Sequence, residues 1–170
     1  MLEFAEWLQT TSVSVTIQSV EWVIPLLQSI HILMIGVVFI SVLMIALRVL
    51  GRVRMDEPFA LVWARFAPWM WAGLAVMAVT GLTLIVGEPI REFTALSFWL
   101  KMGLIAIAVA TTILFGRALT PAALGVAQGP EFPGAIKAAT LVTLLIWIAI
   151  IFLGRAIAYD TEVWGSLSLH

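Results

Sequence analysis

Four long stretches of the chain are apolar and carry no charged side chain, and more polar segments separate them. The charge-free runs cover residues 22–47, 66–87, 102–116 and 138–154. A helix needs about 20 mainly apolar residues to cross a hydrocarbon core of ~30 Å. The pattern therefore predicts four membrane-spanning helices, at about residues 22–50, 59–86, 95–119 and 135–157.

Proline, glycine and charged residues separate the predicted spans. The first connection contains residues 51–58, the second is the turn at residues 87–89, and the third is the Pro- and Gly-rich segment 121–134. Residues 2–9 mix apolar and polar side chains in a pattern typical of a short helix lying on a membrane surface. The sequence therefore predicts an all-α fold, a single four-helix integral membrane bundle over residues 1–170 preceded by a short N-terminal interfacial helix.

Composition supports a membrane protein and excludes several functions. The chain is 62% hydrophobic and 11% charged, with a mean hydropathy of +1.10, whereas soluble domains are about 45–50% apolar and about 25% charged. The absence of cysteine excludes a disulfide, a thiolate nucleophile and an iron–sulfur cluster. A net charge of −1 gives no basic surface for nucleic acid, so the expected surroundings are a lipid bilayer.

The basic residues predict an orientation in the membrane. Six of the nine flank the first and third connections, and three lie on the other side. Because cytoplasmic loops carry an excess of Lys and Arg, both termini are expected outside the cell. The expected location is a multi-pass position in a bacterial cytoplasmic (inner) membrane.

One ionisable side chain, His31, lies well inside a predicted span. It follows Trp22 at an interface by nine residues, roughly 14 Å along a helix. Ionisable groups at such a depth are rare and usually face a bundle interior, a partner or a cofactor. A neutral imidazole can bind a metal through one nitrogen and donate a hydrogen bond through the other. Gln28 lies one turn earlier on the same face. The alternative is a histidine that only bonds a neighbouring helix.

Two cations on the predicted outer side complete a candidate cofactor site with His31. Lys101 lies about one turn into the third span, and Arg155 lies near the outer end of the fourth. Two cations above one imidazole suit haem b, whose iron takes a histidine and whose propionates take cations. Trp71, deeper in the second span, is a further candidate for lining the pocket. The alternatives are snorkelling for the two cations and ordinary packing for the tryptophan.

Other membrane functions lack their usual residues. No carboxylate falls within a predicted span, so a proton or cation pathway has no relay there. The seven methionines are scattered and only one histidine lies within the membrane, which argues against a copper carrier. A transporter or channel is therefore the weakest of the functions considered.

Residues 22–51 and 66–104 resemble a bacterial family of small four-helix membrane proteins with no assigned function. The resemblance is carried by His31, by the helix exit at residues 47–51, by the Pro-Trp-x-Trp-Ala-Gly motif at residues 68–73 and by the Phe-x-x-Lys motif ending at Lys101. The C-terminal end of the first span departs from the family pattern at Ala46 and Val49, where Asp and Leu are expected.

More remotely, a first-span histidine with a third-span lysine is similar to HemJ-type protoporphyrinogen oxidases and to CopD-like membrane proteins. This resemblance implies that His31 binds haem b and that Lys101 belongs to the same site. It does not extend to the oxidase activity, because the aromatic and basic residues that follow the first span of HemJ-like sequences have no counterpart here.

The sequence therefore predicts a haem-b-binding membrane protein with His31 as the axial iron ligand. Its role would be electron transfer, or oxidation of a small lipophilic substrate such as a quinol or a porphyrinogen, and a homo-oligomer is expected. Whether the chain is an enzyme is left open. The alternative is a cofactor-free membrane subunit or scaffold of a larger complex.

Overall fold

A computed structural model describes residues 2–123 and 132–168 of the chain, without the side chains of residues 120–123 and 166. Every regular element in these residues is helical. The α-helices are α1 (Leu2–Gln9), α2 (Ser12–Ser19), α3 (Val23–Val49), α4 (Phe59–Gly87), α5 (Pro89–Thr94), α6 (Leu96–Ala123), α7 (Gly134–Ala156) and α8 (Asp160–Trp164). Two short 3-10 turns, Ile157–Tyr159 and Gly165–Leu167, flank α8.

The four long helices α3, α4, α6 and α7 are long and apolar enough to cross a membrane. They begin within a residue of the four predicted spans, and α3, α4 and α7 also end within a residue of them. Helix α6 continues to Ala123, past Pro121, where the sequence analysis ended the third span at residue 119. Pro121 has no N–H to bond the carbonyl four residues earlier, and only two residues of α6 follow it. Residues 124–131 of the predicted third connection lie outside the described residues.

The long helices pack around one shared core. Helix α3 lies against α4 and α7, and α6 lies against the same two helices, so that α3 and α6 are diagonal to each other. Close approach occurs where a glycine faces a larger side chain, since a Cβ built on Gly73 would lie 2.8 Å from Val38 Cγ2. Small residues allow such approach in lipid, where apolar burial drives packing weakly. The core contains residues from all four long helices: Val38, Val42, Ala46, Met70, Ala108, Leu144, Trp147 and Ile150.

Short helices cover one end of the bundle, which is called the terminal end below. It contains α1 and α2, the turn helix α5 and the C-terminal helix α8. Phe4 of α1 packs edge-on against Phe93 of α5 at 5.7 Å, and Gln18 Nε2 of α2 donates to the Gly87 carbonyl at 2.9 Å. The prediction of four spans plus one interfacial helix was therefore incomplete, because α2, α5 and α8 are additional helices. Their position relative to a membrane stays a prediction.

Asp160 joins α8 to the first turn of α6. Its two carboxylate oxygens accept hydrogen bonds from the backbone amides of Leu96 at 3.0 Å and Ser97 at 2.9 Å. The Ser168 hydroxyl also donates to this carboxylate at 2.6 Å, and Trp164 Nε1 donates to Ser97 Oγ at 2.8 Å. The first amides of a helix have no intrahelical acceptor and favour a negative charge. A carboxylate distant in sequence therefore caps α6 and fixes the terminal end.

Candidate functional site

The predicted intramembrane histidine, His31 of α3, faces α4. His31 Nδ1 lies 2.8 Å from the hydroxyl oxygen of Thr80, a residue that is 5% exposed. The Thr80 hydroxyl also lies 2.9 Å from the Val76 carbonyl, which can only accept a hydrogen bond. A hydroxyl has one proton. When Thr80 donates it to the Val76 carbonyl, its oxygen accepts from the Nδ1–H of His31, and the imidazole then has a lone pair on Nε2.

A glycine on α4 lies against the imidazole ring. A Cβ built on Gly81 would lie 3.4 Å from His31 Cε1, at the near limit of ordinary van der Waals contact. Among the described residues, His31 has its hydrogen bond to Thr80 and none at Nε2. A histidine that ligates a metal usually donates its other N–H to a neighbour that fixes the tautomer. The pair of His31 and Thr80 has that arrangement.

Lys101 of α6 lies in the same half of the bundle. Its ammonium lies 5.4 Å from the centre of the Phe98 ring, and its Cδ passes 3.9 Å from a Cβ built on Gly154 of α7. Its charge interacts electrostatically with His31 and with Glu92. His31 lies roughly 12 Å along α3 from its start and Lys101 roughly 8 Å along α6 from its start. The structure therefore places these two predicted site residues at similar depths below the terminal end.

Glu92 is a buried carboxylate that was not among the predicted site residues. It lies in α5 with 7% exposure, and the nearest cation is Arg91, whose Nη2 lies 3.7 Å from Glu92 Oε1. Burial raises the pKa of the Glu92 carboxyl, and the positive charges of Lys101 and Arg91 lower it in part. In the sequence Glu92 resembles a solvated turn residue. Its burial could have been inferred from its spacing of three from Pro89, which puts both buried side chains on one face of α5.

The structure does not bring the other predicted residues to His31. Arg155 is exposed, and its guanidinium lies over the ring of Tyr159 at 5.3 Å and donates to its hydroxyl at 3.4 Å. Trp71 is 37% exposed and precedes Thr80 by nine residues, which places it on the opposite face of α4. Gln28 is half-buried one turn before His31 and makes no hydrogen bond with a described residue.

An unsatisfied donor lies in the core at the depth of His31. The buried Nε1–H of Trp147 has no hydrogen-bond acceptor among the described residues. Trp147 precedes the end of α7 by nine residues, roughly 14 Å along the helix. Buried polar groups are rarely left without a partner. This level of the bundle therefore contains an imidazole lone pair and an indole donor that the described residues do not use.

A large cavity lies at the terminal end, above this level. It has a volume of about 720 Å³ and is lined by residues of α1, α2, α3, α4, α5 and α8 and by the turns next to α5 and α8. Its lining includes Ile24 and Gly87, which lie seven residues from His31 and Thr80 on the same helix faces. The cavity is therefore stacked about two helical turns above the His31–Thr80 pair.

A family model described as a family of unknown function (DUF6644) matches residues 4–160 of the chain. The match includes all four long helices and the side chains of the candidate site. No curated protein and no solved structure is significantly similar to the chain.

Proposed function

Because the chain belongs to the DUF6644 family, whose function is unknown, we propose a function from its own geometry: a haem-b-binding integral membrane protein in which His31 Nε2 is an axial iron ligand. The hydrogen bond between His31 Nδ1 and Thr80 carries this proposal. With Thr80 as the acceptor of this bond, the ring is protonated on Nδ1 and its Nε2 lone pair is available, which is what iron needs from an imidazole.

The residues around His31 fit a haem b in part. Lys101 supplies a positive charge at a depth similar to that of His31, which suits one propionate. The Nε1–H of Trp147 is a buried donor that has no acceptor in the described part of the chain, which suits a polar group inside the bundle. Arg155 would have to leave Tyr159 to reach a second propionate, so its role in the site is the weakest part of the proposal.

Haem b would supply one-electron redox chemistry. The chain would orient the imidazole through Thr80, balance charge through Lys101 and exclude water with the apolar helices. The resulting role is electron transfer, or oxidation of a small lipophilic substrate, in a bacterial inner membrane. Since each chain has one intramembrane histidine, two histidine ligands on one iron would require His31 from a second copy, and a homo-oligomer belongs to this proposal.

The test is the absorbance spectrum of protein purified from haem-replete cells. Wild type should show a Soret band that His31→Ala loses, and the matched control His170→Ala, the only other histidine, should retain it. A wild-type protein without a Soret band would refute the proposal. So would a band unchanged in His31→Ala.

The second candidate is a cofactor-free subunit or scaffold of a larger membrane complex. The same hydrogen bond favours it, because Thr80 satisfies one ring nitrogen of His31 without any ligand. On this reading His31→Ala lowers thermal stability or assembly and changes no absorbance, so the spectrum separates the two candidates.

A further inference from the structure

The cavity at the terminal end has paired charges. Its one cation, Arg91, forms an ion pair with Glu88 at 2.8 Å. Its other carboxylate, Asp160, accepts hydrogen bonds from Leu96, Ser97 and Ser168. No group of three potential metal-ligating side chains occurs in the residues that the structure describes. An anionic ligand is therefore disfavoured because Arg91 is already paired, and a metal ion is disfavoured because too few ligating side chains are available. The lining suits an uncharged ligand.

Neutral hydrogen-bonding groups in the cavity remain available. The Gln9 amide and the Thr161 hydroxyl form no hydrogen bond with a described residue. Gln18 uses its amide nitrogen to donate to Ser14 and to the Gly87 carbonyl, which leaves its carbonyl oxygen Oε1 as a free acceptor. The cavity therefore offers donors and acceptors to a molecule with hydroxyl or carbonyl groups.

Most of the remaining lining is apolar, and the cavity has the size of a small-molecule site. Ile24, Ile90 and Ile157 are among its lining residues. Its volume of about 720 Å³ is within the range of about 300–1,000 Å³ that ligand sites occupy. Exposed Trp7 and Trp22 lie at the same end of the bundle, and tryptophan is enriched at membrane interfaces. A ligand held there would keep an apolar tail in lipid and a polar ring in the cavity.

We propose that this cavity binds the head group of a membrane quinone or quinol. The Gln9 amide and the Thr161 hydroxyl would donate to its oxygens, Gln18 Oε1 would accept from a hydroxyl of the quinol form, and the isoleucine side chains would contact its ring. Ile24 and Gly87 place its floor about two turns, roughly 10 Å, above His31 and Thr80. Transfer of electrons from a bound quinol to haem would rest on the proposed function. Binding of the quinone or quinol requires no haem.

The test measures binding of labelled decylubiquinone to the full-length protein in nanodiscs, with protein-free nanodiscs as the blank. Gln9→Leu and Thr161→Val each remove one neutral hydrogen bond and should weaken binding roughly three- to tenfold. Ala158→Trp should fill the cavity and abolish binding, because Ala158 is a lining residue. The matched controls Thr83→Val and Ala75→Trp lie on α4 outside the cavity lining and should bind as wild type does.

The spectrum of each variant separates this inference from the haem proposal. The cavity variants should lose quinone binding and keep the Soret band, and His31→Ala should lose the band and keep quinone binding. Quinone binding without a Soret band would leave this inference standing and refute the haem proposal. Wild-type binding no greater than the blank would overturn the inference. Binding that Ala158→Trp leaves unchanged, or a phospholipid that fills the cavity and excludes the quinone, would overturn it as well.

Discussion

Replacing Thr80 by valine tests the hydrogen bond on which the tautomer of His31 depends. Valine has nearly the shape of threonine, so the substitution removes the hydroxyl and leaves packing almost unchanged. The bond is 2.8 Å long and Thr80 is 5% exposed, so water cannot readily replace the lost acceptor. His31 Nδ1 then loses its hydrogen-bond partner, and a ring protonated there is left with a buried, unpaired N–H or moves its proton to Nε2.

The expected cost follows from the surroundings of the bond. Leaving a buried donor unpaired costs about 1–3 kcal/mol, whereas single hydrogen bonds between membrane helices average about 0.6 kcal/mol and reach about 1.7 kcal/mol. We therefore expect Thr80→Val to lower the free energy of unfolding by about 1–2 kcal/mol. For a chain of this size that is a fall in Tm of roughly 2–8 °C.

The matched control is Thr83→Val on the same helix. The Thr83 hydroxyl donates to the Val79 carbonyl, as Thr80 donates to Val76, but it has no second partner. Both variants lose the same bond to their own helix, so the difference between their Tm values isolates the bond to His31. Nitrogen NMR of the imidazole reports the tautomer directly. Equal Tm values for the two variants, or a wild-type ring protonated on Nε2, would refute the reasoning.

Three further perturbations test other parts of the structure by thermal unfolding of the purified protein. Asp160→Asn replaces one of the oxygens that cap α6 with an amide donor, and should lower the free energy of unfolding by about 2 kcal/mol. Gly116→Ala would drive a Cβ into the ring of Trp63 and should cost about 1–3 kcal/mol, whereas Gly103→Ala meets no described atom within 4 Å and should be neutral or stabilising. Glu92 has a pKa raised by burial, so it contributes stability below its unfolded pKa that is lost as pH rises through the folded pKa. Glu92→Gln should therefore gain Tm relative to wild type as pH rises from 4 to 8, and a Tm difference that does not change with pH would contradict this.

The long helices could be predicted from the sequence because lipid restricts the backbone strongly. An apolar run long enough to cross a hydrocarbon core must satisfy its own backbone groups, and a helix does so. Span one was predicted at residues 22–50 and α3 is Val23–Val49. The short helices carry no such signal. Helix α5 has six residues, and contacts distant in sequence, such as Phe4 with Phe93, hold it in place.

The candidate site could be predicted only in part. His31 was identifiable because an ionisable group inside an apolar run is costly, but its partner was not. Thr80 and Thr83 both lie on α4, and only the packing register between α3 and α4 decides which of them meets the imidazole. That register depends on three-dimensional contacts, such as the close approach of Gly73 to Val38.

Arg155 shows the opposite case, in which the sequence contained a signal that was not used. Tyr159 follows it by four residues, the spacing at which side chains on one helix face meet. The structure has this pair, with the guanidinium over the ring. Lys101 also has a local aromatic partner, because Phe98 precedes it by three residues and its ring centre lies 5.4 Å from the ammonium. The two cations differ in that the charge of Lys101 acts on His31 and Glu92 of other helices.

Buried polar groups without a partner among the described residues occur in both halves of the bundle. Away from the terminal end, Arg48 Nε donates to the Glu57 carbonyl at 2.9 Å, but Arg48 Nη2 and the Thr140 hydroxyl have no partner there. In the terminal half, His31 Nε2 and the Trp147 donor are unused by the described residues. What distinguishes the terminal half is the cavity of about 720 Å³ above these two groups. Because a ligand needs space as well as unused polar groups, both proposed sites lie on that side.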